Sequence, residues 1–194
     1  RADGRAVGAH QLPVGADGRI APAIQVIAHQ GKGPDATRQE GPHAHEVVFS
    51  QDNRYLTAVD LGIDRVLVYR FNQSTGALTP NTPAGVNVTP GFGPRHIAFH
   101  PDGRHAFVIS EMASMITTMT WDPATGTFTA GPSVKTLPAD FQGTSTTAEI
   151  AVHPNGKFLY GSNRGDDSIA AFAIAATGAL TPLGYEPTRG KVLL

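Results

Sequence analysis

The chain has 194 residues, enough for one full-sized domain with its own apolar core. Its 15 Lys and Arg nearly balance its 16 Asp and Glu, so the composition lacks the basic excess typical of nucleic-acid-binding proteins. Without cysteine it can form neither disulfides nor thiolate metal sites, and no apolar stretch approaches the ~20 residues of a membrane span. We therefore expect no nucleic-acid partner and no membrane partner.

Short β-branched and aromatic runs separated by glycine and proline predict an all-β fold. The first such region contains ADGRIAP at 16–22, which matches three later connectors, STGALTP, ATGTFTA and ATGALTP, at 74–80, 124–130 and 176–182. We interpret residues 1–41 as a truncated outer part of a repeat followed by a linker.

Three longer copies of one pattern follow and align without a gap. They are HEVVFSQDNRYLTAVDLGIDRVLVYRF (45–71), RHIAFHPDGRHAFVISEMASMITTMTW (95–121) and AEIAVHPNGKFLYGSNRGDDSIAAFAI (148–174). In each copy a short apolar strand is followed by a turn, QDNR, PDGR or PNGK, and by a second strand; Asn-Gly and Asp-Gly supply the positive φ angles of tight hairpins. The predicted repeats are 42–92, 93–145 and 146–194.

Four short strands in a repeat of roughly 50 residues are typical of a β-propeller blade. Strands that are apolar on both faces agree, because each blade packs between two neighbours. The alternatives are a β-sandwich, which rarely repeats in sequence, and a β-helix, which has shorter repeats. About three and a half blades are present, whereas a closed propeller needs at least four. We therefore expect a partial propeller whose partners are the missing blades of its own full-length chain.

Aligned positions predict one cluster of functional side chains. The start of the first strand and the end of the second lie at the same end of an antiparallel hairpin, so these positions gather at one mouth of the propeller. Their polar residues are His45, Arg95, Glu111 and Arg164, with His43 and His96 close by. These positions differ between repeats while the scaffold positions agree, which favours a site over packing.

The cluster contains the residue types that proton transfer and anion recognition require. An imidazole titrates near neutral pH, so His45 is a candidate catalytic group, and Glu111 is a second one. The planar guanidinium groups of Arg95 and Arg164 match carboxylate or phosphate. Glu111 has no cation close to it in the sequence, so we expect Arg95 to reach it through the fold.

Four histidines could have roles other than catalysis. His43 and His45 have same-face spacing on a strand and could ligate zinc, but no cysteine or helical histidine pair completes such a site. We expect no metal and no cofactor, and we expect His43, like His96, to contact substrate. His100 and His153 recur at the first turn, where we expect them to brace the turn through hydrogen bonds.

Acidic residues near the mouth are expected to lie in loops and to form local contacts there. Asp60 and Asp64 flank Gly62, which predicts a solvated loop, with a substrate contact as the alternative. Asp166 and Asp167 are local partners for Arg164, an arrangement that would weaken its claim to a functional role.

The segments GPHAHEVVFSQDNRYLTAVDLGIDRVLVYRF, GPRHIAFHPDGRHAFVISE and AEIAVHPNGKFLYGSNRGDDSIAAFAI resemble the seven-bladed β-propeller lactonase family. That family includes propeller-type 6-phosphogluconolactonases and fungal carboxy-cis,cis-muconate cyclases, and GPDATRQEGPHAH at 33–45 also fits it. The resemblance implies a site with His45, Arg95, Glu111 and Arg164. Family members are nearly twice as long, so the resemblance also implies that this chain is a fragment.

The implied function is hydrolysis of a sugar lactone, with 6-phosphoglucono-δ-lactone as the expected substrate. Cycloisomerisation of a carboxymuconate is an alternative, because two guanidinium groups accept phosphate and carboxylate alike. A non-catalytic propeller that binds a peptide or glycan is a second alternative. The expected partner is thus a small anionic lactone or carboxylate. We expect a cytoplasmic protein, with a periplasmic or secreted one as the alternative.

Overall fold

A computed structural model describes residues 7–191. In this range, fourteen strands form three four-stranded antiparallel sheets and one two-stranded sheet, and strands adjacent in the sequence are adjacent in each sheet. This confirms the prediction of an all-β propeller of about three and a half blades. The predicted outer boundaries fall in residues 1–6 and 192–194, outside the described part. No helix in residues 7–191 is long and apolar enough to cross a lipid bilayer.

The sheets are named here as a half-blade and three full blades. The half-blade contains β1 (Gly8–Gln11) and β2 (Gln25–Ala28). The first blade contains β3 (Ala44–Phe49), β4 (Tyr55–Asp60), β5 (Arg65–Phe71) and β6 (Leu78–Asn87). The second blade contains β7 (Pro94–Phe99), β8 (His105–Ser110), β9 (Met115–Asp122) and β10 (Thr127–Lys135). The third blade contains β11 (Thr146–Val152), β12 (Phe158–Arg164), β13 (Ser168–Ile174) and β14 (Leu180–Pro187).

The turns show why the repeats fold alike. The first turn of each full blade has a left-handed residue at the same aligned position: Asn53 (φ 55°), Gly103 (φ 68°) and Gly156 (φ 71°). Asparagine and glycine are the residues that adopt this conformation at least cost. In the half-blade, Gly18 (φ 78°) lies in the connector between β1 and β2, which identifies these strands as the outer two of a blade.

The second blade lies between two full blades and buries apolar side chains on both faces, as predicted. In β8, Ala106 and Val108 pack toward the first blade, whereas Phe107 and Ile109 pack toward the third. All four are 0% exposed. Because burial of one large apolar side chain contributes about 1.5–3 kcal/mol, packing between blades is a main source of stability.

Some apolar side chains of the first and third blades are exposed. Val47 and Phe49 lie on β3, beside the half-blade, which has two strands within residues 7–191, and they are 54% and 43% exposed. On the third blade, Leu183 is 57% exposed. These surfaces are the ones that additional strands and blades would cover.

The inner strand of each full blade has a β-bulge at the mouth. The register shifts between Ala44 and Glu46 in β3 and between Pro94 and His96 in β7. A third shift lies between Thr147 and Ile150 in β11. Each bulge adds one residue to the inner strand, which changes the direction of the side chains at that point.

Candidate functional site

Glu111 directly follows β8 at the mouth, and three arginines from distant parts of the chain contact its buried carboxylate. Oε2 lies 3.2 Å from Nε of Arg95 and 3.0 Å from Nη2 of Arg164. Oε1 lies 2.5 Å from Nη2 of Arg38. The expected contact between Arg95 and Glu111 is present, and Arg164 reaches the same oxygen.

These contacts determine what Glu111 can do. Burial raises the pKa of Glu111, but the hydrogen bond from Arg38 and the charge of Arg164 outweigh it, so the pKa lies below its ordinary value of 4.5. The group is therefore ionised at neutral pH, and both oxygens already accept guanidinium N–H groups. A carboxylate in this state orients cations well and accepts a proton poorly.

Arg95 and Arg164 are also attached to the backbone of β11. Nη1 of Arg95 donates to the carbonyl oxygen of Ala148 at 2.7 Å, and Nη2 of Arg164 donates to that of Thr147 at 3.1 Å. Asp166, expected as a local partner of Arg164, instead accepts a hydrogen bond from the hydroxyl of Ser168. The two guanidinium groups are thus held by strand backbone and by Glu111 together.

His45 lies in the bulge of β3, and its ring is exposed at the mouth. The ring meets that of His96 edge-on, with centroids 5.0 Å apart. Partial shielding from solvent lowers the pKa of His45 below its ordinary value of 6.5; the charges of Arg95 and His96 act in the same direction and that of Glu111 opposes them. The imidazole is therefore largely neutral at pH 7 and able to accept a proton.

His96 lies between two carboxylates that the sequence analysis did not select. Its Nδ1 is 3.1 Å from Oε2 of Glu149 and 4.0 Å from Oε1 of Glu46. Burial is the main cause that raises the pKa of Glu46. Glu46, His96 and Glu149 occupy equivalent positions in β3, β7 and β11, so the repeat alignment contained a signal for them.

The same three side chains offer ligand atoms that lie within 4.8 Å of one another and could hold a metal ion. However, Nη1 of Arg95 lies 3.1 Å from Nε2 of His96. A positive charge at this distance disfavours a second cation beside the ring.

The recurring turn histidines brace their turns as predicted. Nδ1 of His100 accepts from the backbone N–H of Asp102 at 3.1 Å, and Nδ1 of His153 accepts from that of Asn155 at 3.2 Å. His100, Asp102 and His105 form a second set with metal-ligand spacing. The contacts within this set, including 2.7 Å between Nδ1 of His105 and Oδ2 of Asp102, give it a structural role in the turn.

His43 lies just before β3, and its ring and backbone N–H contact Glu40 and Asp60 rather than the three arginines. Its Nε2 is 3.1 Å from Oε1 of Glu40, and its backbone N–H donates to Oδ1 of Asp60 at 2.8 Å. These contacts anchor the segment that leads into His45.

Asp60 and Asp64 are buried, which corrects the prediction of a solvated loop. Oδ1 of Asp60 accepts from the backbone N–H groups of His43 and Gly62, at 2.8 and 3.0 Å. Oδ1 and Oδ2 of Asp64 accept from the backbone of the loop before β7, at Gly93 and Gly91. Buried backbone N–H groups need acceptors, and these two carboxylates supply them.

Arg38 is a further site residue that the sequence did not predict. It lies in the segment between β2 and β3, outside the repeats, so the alignment provides no equivalent position for it. Its only signal was its place within GPDATRQEGPHAH, the part of the linker that fits the resemblance.

Comparison with known proteins adds to this geometry. A family model described as "Lactonase, 7-bladed beta-propeller" matches residues 7–192. A 6-phosphogluconolactonase of Bacillus subtilis (strain 168) is 39% identical over 165 residues, which are 85% of this chain and 46% of the relative. The solved structure of a periplasmic gluconolactonase from Pseudomonas aeruginosa is 37% identical, with a TM-score of 0.85, over 93% of this chain and 50% of that one. A Lactobacillus plantarum structure is 38% identical, with a TM-score of 0.87, over 93% and 51%. The chain thus spans about half the length of these relatives.

Proposed function

This chain belongs to the seven-bladed β-propeller lactonase family, and from that premise we propose that it is part of a lactone hydrolase acting on 6-phosphoglucono-δ-lactone. The observation that carries the proposal is the pairing of Glu111 with Arg95 and Arg164 beside the exposed, largely neutral imidazole of His45. The names of the relatives from Bacillus subtilis and Pseudomonas aeruginosa support hydrolysis of a sugar lactone.

In the proposed reaction, His45 removes a proton from water as the water oxygen attacks the carbonyl carbon of the lactone. The bond between that carbon and the ring oxygen then breaks, and His45 returns the proton to the departing ring oxygen. The product is the open-chain acid. Proton transfer by a positioned side chain accelerates such steps by about 10²- to 10⁴-fold.

We propose that Arg95 and Arg164 stabilise the negative charge that develops on the carbonyl oxygen of the lactone. A charge-assisted hydrogen bond contributes about 1.5–3 kcal/mol, and more where water is excluded. Glu111 keeps the two guanidinium groups in position, since both of its carboxylate oxygens already accept guanidinium N–H groups.

We further propose that the chain forms about half of a closed propeller. Its length relative to the matched proteins and the exposed apolar side chains of β3 both support this. The other blades would complete the rim and supply further substrate contacts. No metal or other cofactor is needed for the proposed steps.

The test compares His45→Gln and Glu111→Gln in the full-length protein, with His153→Gln in the first turn of the third blade as a control. Lactone hydrolysis is followed by proton release in weak buffer. We expect His45→Gln to lower kcat by about 10²- to 10⁴-fold and Glu111→Gln to lower kcat/KM, while His153→Gln keeps the parent rate. Normal rates in both site variants would make the assignment wrong.

A second measurement separates hydrolysis from cycloisomerisation. Conversion of a carboxymuconate changes ultraviolet absorbance, so this substrate is assayed in parallel. We expect proton release with the lactone and no absorbance change with the muconate.

We propose a cytoplasmic location to accompany a phosphorylated substrate, since transfer of a doubly charged sugar phosphate into the apolar interior of a bilayer is very costly. Activity confined to the unphosphorylated lactone, together with recovery in a periplasmic fraction, would contradict both parts of the proposal.

A further inference from the structure

The loop before β3 is built to hold Arg38 at the mouth. Gln39 is fully buried, and its side-chain Nε2 donates to the carbonyl oxygen of Leu61 at 2.8 Å. Its backbone oxygen accepts from Gly33 at 3.0 Å, and its backbone N–H donates to Asp35 at 2.8 Å. The residue next to Arg38 thus anchors the loop to the end of β4, so the position of Arg38 does not depend on Glu111 alone.

Arg38 differs from the other two arginines in its exposure. Its side chain is 49% exposed, compared with 13% for Arg95 and 25% for Arg164. Arg95 and Arg164 each also donate to a backbone oxygen of β11. The side chain of Arg38 contacts Oε1 of Glu111, whereas Arg95 and Arg164 contact Oε2.

This arrangement makes Arg38 the guanidinium that can exchange partners at least cost. If Arg38 turns toward a ligand, Glu111 keeps Arg95 and Arg164 on Oε2 and remains paired. The three guanidinium groups carry three positive charges, and Glu111 supplies one negative charge, so the arginines can bind an added anion. The nearby acid Glu40 is 57% exposed and is engaged by His43.

We infer that Arg38 is a specificity residue that binds the phosphate group of a phosphorylated sugar lactone. This inference rests on the proposed function and deepens it: Arg95 and Arg164 serve the reacting ester, whereas Arg38, at the solvent side of the mouth, selects the anionic end of the substrate. A planar guanidinium donates two parallel hydrogen bonds to a phosphate, which a lysine cannot reproduce.

The experiment measures kcat/KM of the full-length protein for 6-phosphoglucono-δ-lactone and for glucono-δ-lactone. In Arg38→Gln we expect the preference for the phosphorylated lactone to fall about 10- to 100-fold, the effect of losing one bidentate charge-assisted contact. Arg38→Lys should fall between the parent and Arg38→Gln. Arg19→Gln, which alters a surface arginine that is 89% exposed and lies in the half-blade, is the matched control and should keep the preference.

Two results would overturn the inference. One is an equal loss for both lactones in Arg38→Gln, which would mean that Arg38 acts only by supporting Glu111. The other is an unchanged preference in that variant.

A failure of the proposed function can be told apart from a failure of this inference. If the parent hydrolyses neither lactone, the function is wrong, and binding of 6-phosphogluconate is then measured by titration calorimetry. Binding by the parent that weakens at least tenfold in Arg38→Gln would support the inference. Equal binding by both proteins, or none by the parent, would overturn it.

Discussion

The Nδ1 atom of His29 lies 2.6 Å from Oδ2 of Asp60, and both side chains are almost fully buried. The other oxygen of Asp60 accepts from the backbone N–H groups of His43 and Gly62. This one carboxylate therefore joins the segment after β2 to the end of β4, and it fixes the backbone that leads into His45.

We expect Asp60→Ala to lower the free energy of unfolding by about 3–5 kcal/mol, the usual cost of removing one partner of a buried pair. Urea unfolding of the full-length protein measures this change. The control is Asp17→Ala, which removes an exposed partner of Arg19 and should cost under about 1 kcal/mol. Similar losses in the two variants would contradict the structural role of Asp60.

Gly62 and Gly41 form a matched pair beside the same segment. A Cβ atom on Gly62 would lie 1.9 Å from the carbonyl oxygen of Gly41 and 2.7 Å from the backbone nitrogen of His43, whereas one on Gly41 would meet no atom of residues 7–191 within 4 Å. We expect Gly62→Ala to cost about 1–3 kcal/mol of stability, as other overpacked sites do, and to reduce activity by displacing His43 and His45. Gly41→Ala should be close to the parent in melting temperature and rate, and the comparison fails if the two variants behave alike.

The lowered pKa of His45 predicts the pH dependence of the reaction. A base acts when unprotonated, so kcat/KM should fall as the pH drops through the pKa of His45, and this acid limb should lie below pH 6.5. Because the charge of Arg95 lowers the pKa, Arg95→Gln should move the limb to higher pH, whatever it does to the maximal rate. A pH series of the parent and Arg95→Gln tests this, and a limb that stays in place in the variant would exclude His45 as the titrating base.

The chain expressed by itself is expected to aggregate or to be inactive. Val47, Phe49 and Leu183 would remain exposed, and the end sheets would offer unpaired strand edges. Size-exclusion chromatography, thermal unfolding and a lactonase assay test this expectation. A monomer that unfolds cooperatively and hydrolyses the lactone would refute it.

Sequence periodicity predicted the fold and four members of the cluster because equal positions in a repeat occupy equal places around an axis. This argument brought Arg95, Glu111 and Arg164 together, and the structure has them in contact. It could not identify Arg38, which lies in a linker without repeats. Nor could it identify the burial of Asp60 and Asp64, because the backbone groups that these carboxylates accept from come together only in the folded chain.

The bulges explain a second omission. In a regular strand, neighbouring side chains point to opposite faces, so a residue next to His45 or Arg95 would be expected to face away from the site. The extra residue in each inner strand breaks this alternation. As a result, Glu46 also lies at the mouth beside His96, although strand alternation alone would direct it away from the site.

The repeated bulge also bears on how this protein can change over evolutionary time. The irregularity belongs to the main chain, and it is maintained in three blades whose residues at that point are as different as histidine, arginine and alanine. Selection can therefore exchange the displayed residues one blade at a time, while the strand ladders and the packing between sheets remain as they were. New substrate preferences would then require few mutations and little compensation elsewhere.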